Sequence, residues 1–120
     1  MKRVTGIGGI FIKSADTKRL RDWYQKHLGI DIEDWGGTAF RGSGTTAWSV
    51  FEASSDYFEP STAPFMVNYR VEDLLALLAL LRSEGCQVVG DAQESEFGKF
   101  GWVVDPDGNK IELWEPPAGQ

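Results

Sequence analysis

The chain has 120 residues, enough for one domain with a core of its own. Its 42% apolar and 25% charged residues are ordinary globular composition, which excludes collagenous, low-complexity and disulfide-scaffold classes. Twelve Lys+Arg against 18 Asp+Glu give a net charge of −6, so the summed field repels a polyanion and no nucleic-acid partner is expected.

A first strand is expected over residues 7–13, followed by a helix from Asp16 to Gly29. Leu20, Trp23, Tyr24, His27 and Leu28 fall at the spacing of one helical face. Asp16 suits the N-cap, and Gly29 stands where a left-handed residue ends a helix. Short strands are expected at 39–41 and 47–51, punctuated by Gly36-Gly37 and Gly42-Ser43-Gly44. Residues 52–64, with Tyr57-Phe58, read as a linker between two halves. A strand at 65–71 then leads into a second helix, from Glu72-Asp73 to Gly85. Its apolar residues cover more than one stripe, which suggests burial by its own sheet and by a partner chain. Strands at 88–89, 101–104 and 110–114 complete the reading.

The two halves echo each other. Asp16 to Gly29 and Glu72 to Gly85 are both 13 positions, offset by 56 residues. Half the chain is too small to bury a core alone, so the two units share a surface. The pattern is α+β: two tandem β-α-β-β-β modules, about 1–58 and 64–120, within a single domain, with helices on one face of mixed sheets.

Asp105-Pro106-Asp107-Gly108 sets the last hairpin. If Asp105 pairs with Asn109, Trp102 faces Glu112 and Phe100 faces Trp114 on one side of the sheet. Val103, Ile111 and Leu113 then point toward the helices. Indole rings and a carboxylate are thereby collected on the face where a pocket forms.

The lone Cys86 has no intramolecular disulfide partner, reads as a small core residue, and points to a reducing, cytoplasmic setting. Residues 6–12 are too short and glycine-rich for a signal peptide, and the longest apolar run, 74–81, is too short to span a bilayer. Gly6-Ile7-Gly8-Gly9 opens a strand and does not join a strand to a helix, which excludes a nucleotide loop. One helical histidine leaves no serine or cysteine triad. His27 itself reads as a partly exposed residue packing its ring edge.

The helix carrying Trp23-Tyr24-Gln25-Lys26-His27-Leu28-Gly29, the duplicated pattern, and the ending from Phe97 through Asp105-Pro106-Asp107-Gly108 to Ile111-Glu112-Leu113 resemble the vicinal oxygen chelate superfamily. That group includes glyoxalase I, bleomycin-resistance proteins and extradiol dioxygenases. The resemblance implies two half-barrel sheets enclosing a cup, with helices outside. It also implies metal ligands, in metal-dependent members, on four strands. Carried onto this chain, those positions are Gly9, a residue between Ala47 and Glu52, Met66, and Glu112. Glycine offers no donor and a thioether favours soft ions, so no metal and no other cofactor is expected.

The expected function is therefore metal-independent binding of a small organic ligand, neutral or cationic, by a homodimer joined through the second helix or paired edges. Trp48, Trp102 and Trp114 are expected to stack on it, with Met66 lining the cup and Glu112 as hydrogen-bond partner, charge or general base. The alternative is a metal-dependent lyase, isomerase or dioxygenase of the same superfamily, using Glu112 with Glu52 or a partner chain completing the metal.

Overall fold

Local caps define both helices. Asp16 accepts a hydrogen bond from the Arg19 N–H at 3.0 Å, and Gly29, at φ 65°, ends helix α1, Thr17–Leu28. Asp73 does the same for Ala76 at 3.1 Å and starts helix α2, Leu74–Ser83. The computed structural model describes residues 7–42 and 44–120, so Lys2-Arg3, Gly6 and Ser43 lie outside it.

The strands are β1 (Val67–Arg70), β2 (Gln87–Val88), β3 (Gln93–Ser95), β4 (Gly98–Val104) and β5 (Lys110–Glu115). They form one sheet in the order β1-β5-β4-β2, with β3 also on β4. Among the described residues, only the β1–β5 pair is parallel. The hairpin register follows the turn: Phe100 faces Trp114, Trp102 faces Glu112 and Val103 faces Ile111. The Asp105 N–H donates to the Asn109 carbonyl at 2.9 Å, closing it as expected.

Both helices cover one face. Leu20 and Tyr24 of α1 and Leu74, Leu78 and Leu81 of α2 pack on Val103, Ile111 and Leu113. Gly101 permits the close approach of α2, because a Cβ there would stand 2.7 Å from Leu78 Cδ1. The side chains pointing the other way, Glu112 and Trp102, belong to the open face.

The architecture is α+β, and the second unit follows the expected order. The first unit contributes its helix, but residues 7–13, 39–41 and 47–51 form no ladder among the described residues. A strand needs a partner of fixed register to satisfy its backbone. In the second unit the Asp-Pro-Asp-Gly turn supplies one; in the first, the Glu33 N–H closes a turn on the Gly37 carbonyl at 2.9 Å, but no ladder follows it among the described residues. Strand β3 was not expected, since Gln93-Glu94-Ser95 is wholly exposed and shows no apolar alternation.

Candidate functional site

Glu112 is the centre of the open face and is buried, 9% exposed. Strand pairing brings its neighbours. The parallel register sets Asn68 beside it, and the hairpin sets Trp102 opposite. Asn68 Nδ2 donates to Oε1 at 2.8 Å, and Trp102 Nε1 donates to Oε2 at 2.9 Å. The third donor comes from the linker: the Tyr57 hydroxyl donates to the same Oε2 at 2.5 Å. Lys110 Nζ closes the arrangement from β5, donating to the Tyr57 carbonyl at 2.6 Å. Its ammonium lies 5.2 Å from the Tyr57 ring centroid and 5.5 Å from that of Trp102, within cation–π range.

Beside this knot lies a cavity of about 150 Å³, lined by Tyr57, Gln93, Glu94, Ser95, Phe100 and Trp102. Tyr57 and Trp102 meet edge to face, 6.0 Å apart, and so form both the donor clamp on Glu112 and one wall of the cavity.

The expected site residues divide. Trp102 and Glu112 come together. Trp114 lies on the same face, half-buried, with Phe100 stacked on it at 6.2 Å, its N–H on the Phe97 carbonyl at 2.8 Å, and the Arg70 guanidinium 5.1 Å from its ring centre. Met66 is half-buried, immediately before β1. Trp48 is 77% exposed and is not among the residues lining the cavity. Of the positions matching the family's metal ligands, Gly9 has no side chain, Glu52 is exposed, and Glu112 already accepts three hydrogen bonds. Asn68 and Lys110 were not singled out in the sequence, and Tyr57 was read only as part of the linker. Only alternation along β1 marks Asn68; nothing local marks the reach of Tyr57 across 55 residues.

The three tyrosines, Tyr24, Tyr57 and Tyr69, all have phenols held above the ordinary value of 10.0. Burial is the main cause in each; for Tyr57 the hydrogen bond to Glu112 adds to it. A raised folded-state value for an acid means that the folded chain keeps protons which the unfolded chain releases above about pH 10. Stability is therefore complete below that pH and falls above it. Urea midpoints measured from about pH 8 to 11 are expected to drop at the alkaline end, and Tyr24→Phe is expected to flatten the drop. A midpoint insensitive to pH across that window would contradict the assignment.

An open sheet backed by two helices, with a buried carboxylate among aromatic rings on its free face, defines a small α+β protein. The chain belongs to the Glyoxalase/Bleomycin resistance protein/Dioxygenase superfamily, whose family model matches residues 6–113. Three solved structures share the fold. TnmS3, an antibiotic binding protein from Streptomyces sp. CB03234, is 23% identical, with a TM-score of 0.63 over 98% of this chain and 100% of that one. A glyoxylase/bleomycin resistance protein/dioxygenase domain from Frankia sp. EAN1pec is 16% identical, with a TM-score of 0.60 over 98% and 96%. The trypanothione-dependent glyoxalase I of Leishmania major is 23% identical, with a TM-score of 0.54 over 87% and 81%. No curated protein matches the chain. Among the described residues, no helix is long and apolar enough to cross a membrane.

Proposed function

We propose that this chain binds a small, planar organic molecule on the aromatic face of its sheet, without a metal. The observation carrying this reading is the state of Glu112. Both its oxygens are engaged by protein donors, Oε2 by two and Oε1 by one, so a divalent ion would compete with hydrogen bonds already made to a buried carboxylate. The other positions matching the family's ligands do not fill the gap, since they offer no side chain, a thioether and an exposed carboxylate. What the face does present is the cavity wall of Tyr57, Phe100 and Trp102. The antibiotic-binding description of TnmS3 agrees with such a role.

Neutral ligands are favoured over cationic ones. The Lys110 ammonium already lies near the Tyr57 and Trp102 rings and repels a second cation there. A second copy of the chain supplies the missing wall. About 150 Å³ is well below the ~300–1,000 Å³ of ordinary ligand clefts. Meanwhile Phe11 is 95%, Val50 80% and Trp48 77% exposed, and Leu75 and Leu80 of α2 are exposed too, all apolar surface that a homodimer would cover.

Two measurements test this. Light scattering is expected to give twice the 13.3 kDa chain mass; a monomer at all concentrations would remove the second wall. Tryptophan fluorescence titrations, with chelator present, are expected to show saturable binding of neutral planar aromatics over aromatic cations of like size. Phe100→Ala should weaken that binding about tenfold. Tight Mn(II) or Mg(II) binding that Glu112→Gln abolishes would overturn the reading in favour of a metal-dependent enzyme.

A further inference from the structure

On the side of the molecule remote from Glu112, the C-terminal end of α1 meets the turn between α2 and β2. Three side chains with different donor atoms converge there: His27, Glu84 and Cys86, whose ligand atoms all lie within 4.8 Å of one another. His27 Nδ1 is 2.9 Å from Glu84 Oε1, although 57 residues separate them in the chain. The imidazole side chain is 11% exposed and the carboxylate 29%, while Cys86 is a half-buried free thiol.

The backbone holds each donor in place. Gly29 turns left-handed directly after α1, and its N–H returns to the Tyr24 carbonyl. The Glu84 N–H bonds the Leu80 carbonyl and the Cys86 N–H bonds that of Leu81, both at 3.0 Å. Trp23 braces the His27 ring, with centroids 5.4 Å apart. Cys86 packs against the core. The three donors thus sit on fixed supports drawn from both halves of the chain.

We propose that His27, Glu84 and Cys86 form a binding site for a borderline-soft divalent cation of the zinc class, one that clamps α1 to the turn between α2 and β2. Neutral imidazole, carboxylate and thiolate balance a dication, and one nitrogen, one oxygen and one sulfur suit zinc, with the fourth position open to water. Metal–ligand bonds of ~2.0–2.3 Å in a tetrahedron place donor atoms roughly 3.4–3.7 Å apart. A set already within 4.8 Å closes to that spacing by side-chain rotation. The ion takes the place of the proton between His27 Nδ1 and Glu84 Oε1, the neutral ring then carrying its proton on Nε2, and the thiol proton is released to solvent. Binding is therefore expected to release a proton from the thiol and to strengthen as pH rises. The site shares no residue with the aromatic face, so it does not depend on the function proposed above.

Titration of the full chain with Co(II) tests the proposal. One equivalent is expected to bind, with tetrahedral d–d absorption and a thiolate-to-metal charge-transfer band. Cys86→Ser should abolish that band. His27→Gln, on the other element, should weaken affinity by more than the ~10–100-fold that loss of an outer hydrogen-bond partner costs. Zn(II) should displace the cobalt and raise the melting temperature of the wild type but not of Cys86→Ser. Bound cobalt without a thiolate band, wild-type affinity in either folded variant, or no binding at all would overturn the assignment.

Discussion

Replacing Asp105 by alanine is expected to cost about 4 kcal/mol of folding stability, a large share of the total of a domain this size. The residue is 4% exposed, and its two oxygens accept four hydrogen bonds. Oδ1 takes the N–H groups of Asp107 and Asn109 at 2.9 Å each, which holds the turn that sets the β4–β5 register. Oδ2 takes the Asn109 amide at 2.9 Å and the Tyr24 hydroxyl at 2.8 Å. The last bond ties α1 to the hairpin across 81 residues. Alanine leaves four donors without their acceptor, the Tyr24 hydroxyl buried and the other three part-buried, and donors shielded from water without partners are costly. Tyr24→Phe removes only one donor and should cost about 1 kcal/mol. Urea unfolding followed by circular dichroism separates the two. If Asp105→Ala costs no more than Tyr24→Phe, the carboxylate does not organise the turn.

Asp105 also shows how far the sequence could be read. Asp-Pro-Asp-Gly announced the turn, and the turn fixed the register; from the register alone Trp102 fell opposite Glu112. The helix caps were equally legible, because Asp16 and Gly29 act on backbone within five residues of themselves. Contacts made across the chain were not. Tyr57 sits in a linker whose composition looks like ordinary crossover loop, yet its hydroxyl completes the Glu112 clamp. Asn68 is paired with Glu112 only because β1 runs parallel to β5, and no turn signal dictates a parallel register. His27, expected as a partly exposed residue packing its ring edge, lies against Trp23. Its meeting with Glu84 depends on how α2 docks. The alternating residues near Trp48 suggested a strand, but alternation shows that a segment suits a sheet, not which edge receives it.

Glu112→Ala is expected to lower stability by about 3 kcal/mol, whereas Glu112→Gln should lower it by only about 1 kcal/mol. The difference follows from how the donors divide between the two oxygens. Oε2 receives two, from Tyr57 and the buried Trp102, while Oε1 receives only the Asn68 amide. A glutamine can keep its carbonyl at the Oε2 position and point its amide at Asn68. The Asn68 side chain then needs only to rotate half a turn to present its own oxygen. Alanine allows no such exchange. It strands the indole N–H, and it frees Tyr57 together with the linker that Lys110 holds through the Tyr57 carbonyl. The alanine variant should therefore also be cut by protease between residues 52 and 64 at concentrations that leave Glu112→Gln intact. A carboxylate kept free for proton transfer or metal binding predicts the reverse, because removing an unpartnered buried charge relieves its desolvation and stabilises the fold. Stability that rises in Glu112→Ala would mean that the three hydrogen bonds do not govern this residue, and the aromatic face would have to be reread as a catalytic one.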